Sequence, residues 1–138
     1  MGEWQRYVDD NLLGSGKVNR AAILGLDGEI LAASEKYELS AAERSRVVKE
    51  CRATFSGGDD RVGGLQLAGN RFVTVENDER SIFLRSGHSL GNDPRHAGAI
   101  VVQTKQCIIV AEYDAPVQML ESIPVVESLA DELINSGY

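Results

Sequence analysis

The second half of this chain holds five short segments of strand character, joined by connections that leave little choice of topology. VGGLQLAG, RFVTVEN, SIFLRSG, GAIVVQT and CIIVAEYD follow one another between residues 62 and 114. Gly69-Asn70, the stretch NDE and Lys105-Gln106 mark the tight turns. A parallel neighbour needs a crossover of a dozen or more residues, whereas an antiparallel one needs only a hairpin. A parallel crossover sheet is therefore excluded for this half. HSLGNDPRHA, before the fourth segment, is polar, carries Gly and Pro and has no periodicity, so it reads as an exposed loop.

The first half adds one more hairpin and two helices. VNRAAILGLDGEILAAS places two apolar runs on either side of Asp27-Gly28, predicting strands at about 18–26 and 29–34. The Asp-Gly dipeptide suits a type I′ turn, which needs positive φ at both central residues. Before it, Trp4, Val8 and Leu12 fall at helical spacing with Tyr7 beside them, while Gln5, Arg6, Asp9 and Asp10 take the other side. The glycines of GSG, Gly14 and Gly16, end that helix. After the hairpin, Ser40 with Glu43 three residues on is a capping box opening a helix. Val47, Val48, Cys51 and Phe55 form its apolar stripe, and SGGDD breaks it. The chain ends in SIPVVESLADELINSGY. There Ser122 reads as the N-cap, Pro124 as first-turn residue, Gly137 as C-cap, and Val125, Val126, Leu129, Leu133 and Ile134 as the stripe.

The order helix, two strands, helix, five strands, helix is an α+β arrangement. It predicts a single antiparallel sheet of about seven strands, covered by the N- and C-terminal helices and a further helix. With 138 residues, 43% of them apolar, residues 1–138 read as one domain with a core of ordinary size.

Charge and cysteine usage narrow the function. A formal net charge of −7 opposes nucleic-acid binding, which needs a positive footprint. Cys51 and Cys107 sit in apolar stretches without CxxC or metal-ligand spacing, so both are expected as buried thiols rather than as a disulfide. The acidic N-terminus has no apolar leader, and no apolar run reaches membrane-spanning length. A cytoplasmic protein is the expectation.

Catalysis needs convergent groups, and none emerges. His88 and His96 lie in the polar loop, where histidines are ordinarily solvated. Ser86 and Ser89 show no nucleophile elbow. GSG follows a helix, not a strand, and is too short for a phosphate loop, while DDNLLG and SGGDD lack calcium-loop spacing. The expectation is a protein that is not an enzyme and holds no cofactor or metal.

What stands out is aromatic surface at the chain ends, where segments usually fray. If the terminal helices lay side by side on one face of the sheet, Trp4, Tyr7 and Tyr138 would meet in the groove between them. Aromatic grooves dock polyproline, whose preformed helix loses little entropy on binding. Indole N–H and phenol O–H groups can donate to the ligand's free carbonyls. The alternative is that Trp4 anchors the first helix in the core and Tyr138 is a frayed end.

EWQRYVDDNLLGSG followed by AAILGLDG resembles the opening of profilins, in which W-Q-x-Y-V-D-x-x-L and A-A-I-x-G-x-D-G recur. LAGNRFVTVENDERSIFLRSG, GAIVVQTKQCIIVAEYD and VVESLADELINSGY are similar to the family's later strands and last helix, in order. The resemblance runs from residue 3 to 138 with one extra loop at about 86–96. It implies the profilin fold, and monomeric actin, proline-rich proteins and phosphoinositides as partners of a cytoskeletal monomer.

By position, the resemblance assigns Trp4, Tyr7, Leu31, Leu133 and Tyr138 to polyproline binding. Leu31 stands where the family has a second-strand tryptophan, and Glu132 where it commonly has Tyr or His. Losing two ring faces implies weaker or altered proline binding. It assigns Arg71, Arg80, Arg85, Val117, Gln118 and Leu120 to actin binding, with Met119-Leu120 standing where the family often has Pro-Gly. Away from the resemblance, each arginine reads as a solvated residue of a sheet edge. Phosphoinositides would engage Arg71, Arg80, Arg85 and Arg95, weakly on so acidic a protein. The extra loop, Ser86 to His96, is expected to modulate the actin face. A different class, a small sensor or scaffold domain of roadblock or PAS-like type, also wraps helices around an antiparallel sheet and would ignore polyproline.

Overall fold

The computed structural model describes residues 2–55, 64–86 and 97–138. His88, Ser89, Arg95 and His96, most of the extra loop and the SGGDD segment at 56–60 lie outside the described residues.

Seven strands form one sheet: β1 (Arg20–Gly25), β2 (Ile30–Ala33), β3 (Gly64–Leu67), β4 (Asn70–Asn77), β5 (Ser81–Ser86), β6 (Ala97–Gln103) and β7 (Cys107–Asp114). Their order is β2-β1-β7-β6-β5-β4-β3, and every neighbouring pair is antiparallel. All neighbours are adjacent in sequence except β1 and β7, whose pairing of Arg20 through Gly25 with Glu112 through Cys107 brings the two ends of the chain together.

Strand alternation divides the core between the two faces. Ile23, Ile100, Val102, Cys107 and Ile109 pack under the terminal helices with Val8, Leu12, Val126, Leu129 and Leu133. Leu24, Val101, Ile108 and Val110 turn the other way, onto Val47 and Cys51 of α2 (Ala41–Phe55). The central strands β6 and β7 are thus buried on both sides, which is why AIVV and CIIVA read as nearly continuous apolar runs. Cys51 and Cys107 are both free and buried, one in each core, and burial pushes the Cys51 thiol up to about 12.

Local chemistry matches the expectations at some elements and revises them at others. The Ser40–Glu43 capping box forms in full: Ser40 N–H donates to Glu43 Oε1 at 2.9 Å and Glu43 N–H to Ser40 Oγ at 3.1 Å. The Asp27-Gly28 turn is not type I′. Only Gly28 has positive φ, Gly28 N–H donates to Gly25 O at 3.0 Å, and the register slips between Ile23 and Leu24. This is a longer loop with glycine in the left-handed position of a bulge. The β3–β4 turn is centred on Ala68-Gly69, with φ 50° and 85°, one residue earlier than Gly69-Asn70.

The first helix is irregular. An α-helical turn, α1 (Gly2–Arg6), runs into a π-helical stretch over Tyr7–Leu12 and a 3₁₀ turn over Leu13–Ser15. Gly16, at φ 77°, closes it with N–H to Leu13 O at 3.1 Å. The last helix, α3 (Met119–Asn135), starts earlier than Ser122. Gln118 is the N-cap, in a box with Glu121, whose Oε1 accepts the Gln118 N–H at 3.0 Å. Pro124 is therefore inside the helix, and Ser122 is buried, its hydroxyl donating to Lys17 O at 2.7 Å.

Candidate functional site

The terminal helices are locked side by side by polar contacts. Asn11 Nδ2 donates to Glu132 Oε2 at 3.1 Å, and Lys17 Nζ to Glu121 Oε2 at 2.7 Å. Gln5 reaches sideways to the sheet, donating to Ala33 O at 2.9 Å at the end of β2. The first helix is thereby tied both to β2 and to α3.

Trp4 and Tyr138 lie edge to face with centroids 4.9 Å apart, and Trp4 and Tyr7 likewise at 6.0 Å. All three rings are half-buried and pack on the core beneath the terminal helices, as does Leu31 of β2. Leu133 is wholly buried in the core on which the rings pack and offers no surface to a ligand. The Tyr7 phenol is raised above its ordinary value by burial and by the carboxylates of Glu3 and Glu132, with Arg6 acting in the opposite sense.

Tyr138 does not fray, because α3 ends in a Schellman motif. Gly137 takes φ 96°, its N–H donating to Ile134 O at 3.0 Å, and Tyr138 N–H donates to Leu133 O at 2.8 Å. The turn between β6 and β7 holds the same segment from the other side. Thr104 Oγ1 donates to Tyr138 O at 2.9 Å, the Gln106 N–H donates to that oxygen too, and Gln106 Nε2 donates to Gly137 O at 3.1 Å.

A second surface lies toward the β4–β5 end of the sheet, on the face the terminal helices occupy, since Arg85 follows Phe83 of that core by two residues. Arg71 of β4 and Arg85 of β5 are exposed, and Arg85 pairs across the strands with Val73. Val73 and Val75 are themselves exposed, at 44% and 50%, and Leu120 near the start of α3 at 82%. Bare β-branched side chains beside arginines suit a protein partner. The alternation in RFVTVEN, with Phe72 buried, carried the signal for Val73 and Val75, but strand-forming residues look alike whether covered or bare. On the far side of Arg85 in β6 stands Gly98, where any Cβ would run into the phenol of Tyr113 from β7. Glycine lets that ring lie flat over β6.

Arg80 differs from the other two arginines. Its guanidinium contacts Asp131 at 3.0 Å and Glu127 at 3.4 Å, and Ser81 Oγ donates to Glu127 at 2.7 Å. Arg80 thus fastens α3 to the start of β5 instead of standing free for a partner. Of the four arginines of the expected anionic-lipid patch, Arg71 and Arg85 are exposed, Arg80 is ion-paired and Arg95 lies outside the described residues. Val117 is half-buried in the turn after β7, Gln118 caps α3, and Leu120 belongs to its first turn.

Among the described residues no group of His, Cys, Asp and Glu is placed to hold a metal ion, and no helix is long and apolar enough to cross a membrane. A separate depression between the β1–β2 turn and α2 is lined by Gly28, Arg44, Lys49 and Arg52. Arg44 there donates to Leu39 O at 3.2 Å and Gly28 O at 3.0 Å, so its guanidinium serves the fold.

Comparison with known proteins bears on the family and the fold. The profilin family model matches residues 2–138. Profilin-1B of Acanthamoeba castellanii is 40% identical over 136 residues, covering 98% of each chain. The solved structure of Acanthamoeba castellanii profilin IA shares the fold with a TM-score of 0.82 at 38% identity, covering 98% of this chain and 99% of that one. The fold recurs at lower identity in two complexes. Mouse profilin IIa bound to a double repeat from the FH1 domain of mDia1 has a TM-score of 0.75 at 22% identity. LokiProfilin2 with rabbit actin has a TM-score of 0.79 at 17% identity.

Proposed function

The chain belongs to the profilin family, and from that premise and the two surfaces above we propose that it binds monomeric actin and regulates polymerisation while its aromatic cleft takes proline-rich segments. The observation that carries the cleft is the half-buried ring cluster Trp4–Tyr7–Tyr138, packed on a core that includes the buried Leu133. A polyproline helix brings flat apolar faces and unpaired carbonyls, the complement of such rings. Leu31 offers an aliphatic wall in place of a further ring, which lowers affinity without closing the site.

Actin binding is assigned to the surface toward the β4–β5 end of the sheet, built from Arg71, Arg85, Val73, Val75 and Leu120 with Val117 and Gln118 at its margin. β2, which carries Leu31, and β4, which carries Arg71, are separated by four strands in the sheet order. One molecule can hold an actin monomer and a proline-rich protein together. Occupying actin's surface this way shifts its exchange equilibria by mass action. Arg71 and Arg85 also form the exposed part of a patch for phosphoinositide headgroups, weak against the net charge of −7. The match to one family over nearly the whole chain favours this reading over a sensor or scaffold domain.

Two measurements test it. Titrating the protein with a proline homopolymer must shift the emission of Trp4, which is the only tryptophan. Pull-down with monomeric actin must weaken in an Arg71→Glu/Arg85→Glu variant and survive Trp4→Ala. An unmoved emission removes the cleft, and unchanged capture removes the actin face.

A further inference from the structure

Glu132 brings a negative charge to the rim of the aromatic cleft, and the structure fixes where that charge sits. The side chain is exposed, yet its Oε2 is held by Asn11 Nδ2 at 3.1 Å across the gap between the terminal helices. Glu3 is exposed one residue before Trp4. Both carboxylates act on the Tyr7 phenol in the same sense, so both lie within electrostatic reach of the ring. Asn11 stands four residues after Tyr7 in the same helical stretch, so the carboxylate it holds lies next to that ring, and Arg6 is a cation that acts on Tyr7 in the opposite sense. Other acids near the helix ends are differently engaged: Asp9 accepts from Gln5 Nε2 at 3.1 Å, and Asp131 pairs with Arg80.

We propose that the cleft selects proline-rich segments carrying Lys or Arg beside the prolines, with Glu132 as the specificity-determining residue and Glu3 reinforcing it. The inference rests on the cleft being a polyproline site. Stacking on Trp4, Tyr7 and Tyr138 tells proline helices from other peptides but is indifferent to flanking charge. The carboxylate pair adds the missing discrimination. A polyproline helix rises about 3.1 Å per residue with three residues per turn, so a basic residue flanking the stacked prolines carries its charge roughly 9 Å per turn along the groove, within the reach of a long side chain from the rim. Because Asn11 already orders the Glu132 carboxylate, less side-chain freedom is lost on pairing than for a free surface acid. A single exposed pair of this kind changes affinity by about threefold at low salt. Its range is set by a screening length of about 10 Å at 0.1 M salt. An acidic flank meets like charge and is disfavoured by a similar factor.

The test uses the full chain and Trp4 emission. Three end-capped proline peptides of equal length are titrated: one uncharged, one with arginine flanks and one with glutamate flanks. They are compared in wild type, Glu132→Gln and Glu132→Lys, at low and at high salt. The neutral peptide is the reference within each variant, so altered folding or stacking cancels from the ratio. The wild type is expected to prefer the arginine peptide by about threefold over the neutral one at low salt. That preference should vanish at high salt, shrink in Glu132→Gln and reverse in Glu132→Lys. Equal binding of neutral and arginine peptides to wild type overturns the inference and leaves the cleft standing, as does a preference unchanged in Glu132→Gln. Failure of every peptide to bind overturns the cleft and the inference together.

Discussion

Tyr138 meets Trp4 edge to face at 4.9 Å although the two stand at opposite ends of the chain, and the left-handed Gly137 makes the meeting possible. The turn at φ 96° sends the last residue back over α3, and an alanine Cβ there would meet nothing within 4 Å. Gly137→Ala thus costs only backbone strain, about 1 kcal/mol. The expected outcome is a small fall in Tm with a larger fractional loss of proline binding, because the displaced ring is worth about 1 kcal/mol or roughly fivefold in affinity. Calorimetric titration of Gly137→Ala beside Tyr138→Ala checks it, and the two variants should lose affinity alike.

The arginines separate by what they already touch. Arg80→Ala removes the contacts to Glu127 and Asp131 that attach α3 to β5, so it is expected to lower stability by about 1 kcal/mol. Arg85→Ala leaves the fold's own ion pairs intact and is expected to weaken actin capture, chiefly by slowing association and flattening its salt dependence. Urea denaturation and stopped-flow association at two ionic strengths distinguish the two substitutions. An Arg80 variant that keeps its stability and loses actin binding would reverse the assignment.

Much of this was legible because local and global signals agreed. Short connections forced antiparallel neighbours, Ser40 and Glu43 announced a helix start, and the apolar runs AIVV and CIIVA marked the doubly covered strands. The meeting of the chain ends was legible: Trp4, Tyr7 and Tyr138 form one ring cluster, as expected if the terminal helices lie side by side. What stayed hidden depended on tertiary partners. Ser122 looks like a cap by type, yet its hydroxyl is spent on Lys17 and the capping box belongs to Gln118 and Glu121. Leu133 carries the same pattern whether it lines a groove or is buried in the core. Arg80 and Arg85 are alike in sequence until α3 is laid over one of them.

Glu43 caps more than its own helix. Its carboxylate takes the Ser40 N–H and also those of Ala68 at 3.1 Å and Gly69 at 2.9 Å, so it clamps the β3–β4 turn to α2. Burial pushes this group up, but three backbone donors hold it below the ordinary carboxylate value. A depressed folded value means that the stabilisation is complete above about pH 4.5 and is lost as pH falls through the folded value. Glu43→Ala is expected to cost about 2–3 kcal/mol at neutral pH, a lost cap plus stranded N–H groups. Glu43→Gln should start less stable than wild type and decline less between pH about 6 and 3. Urea midpoints across that range measure both, and parallel wild-type and Glu43→Gln curves would refute the clamp.

Beneath α2's side of the sheet, Glu112 is a carboxylate 1% exposed, accepting from the Tyr37 hydroxyl and from Arg20 at 3.3 Å. Arg20 also grips Asp114 with two bonds of 2.8 and 2.6 Å, which ties β1 to β7 at the seam that joins the chain ends. Burial pushes the Glu112 carboxyl up, against the pull of Tyr37 and Arg20. Removing the cation alone strands that charge, so Arg20→Met is expected to cost about 3–5 kcal/mol at neutral pH. Adding Glu112→Gln removes the charge while leaving Tyr37 an acceptor, and the double variant should be more stable than the single one. A group whose folded value is raised contributes stability below its unfolded value and loses it as pH rises, so the gap between single and double variants should narrow on acidification. Urea unfolding at neutral and mildly acid pH measures it. A single variant as stable as the double at neutral pH would mean that Glu112 takes up a proton once Arg20 is gone, and no charge is stranded.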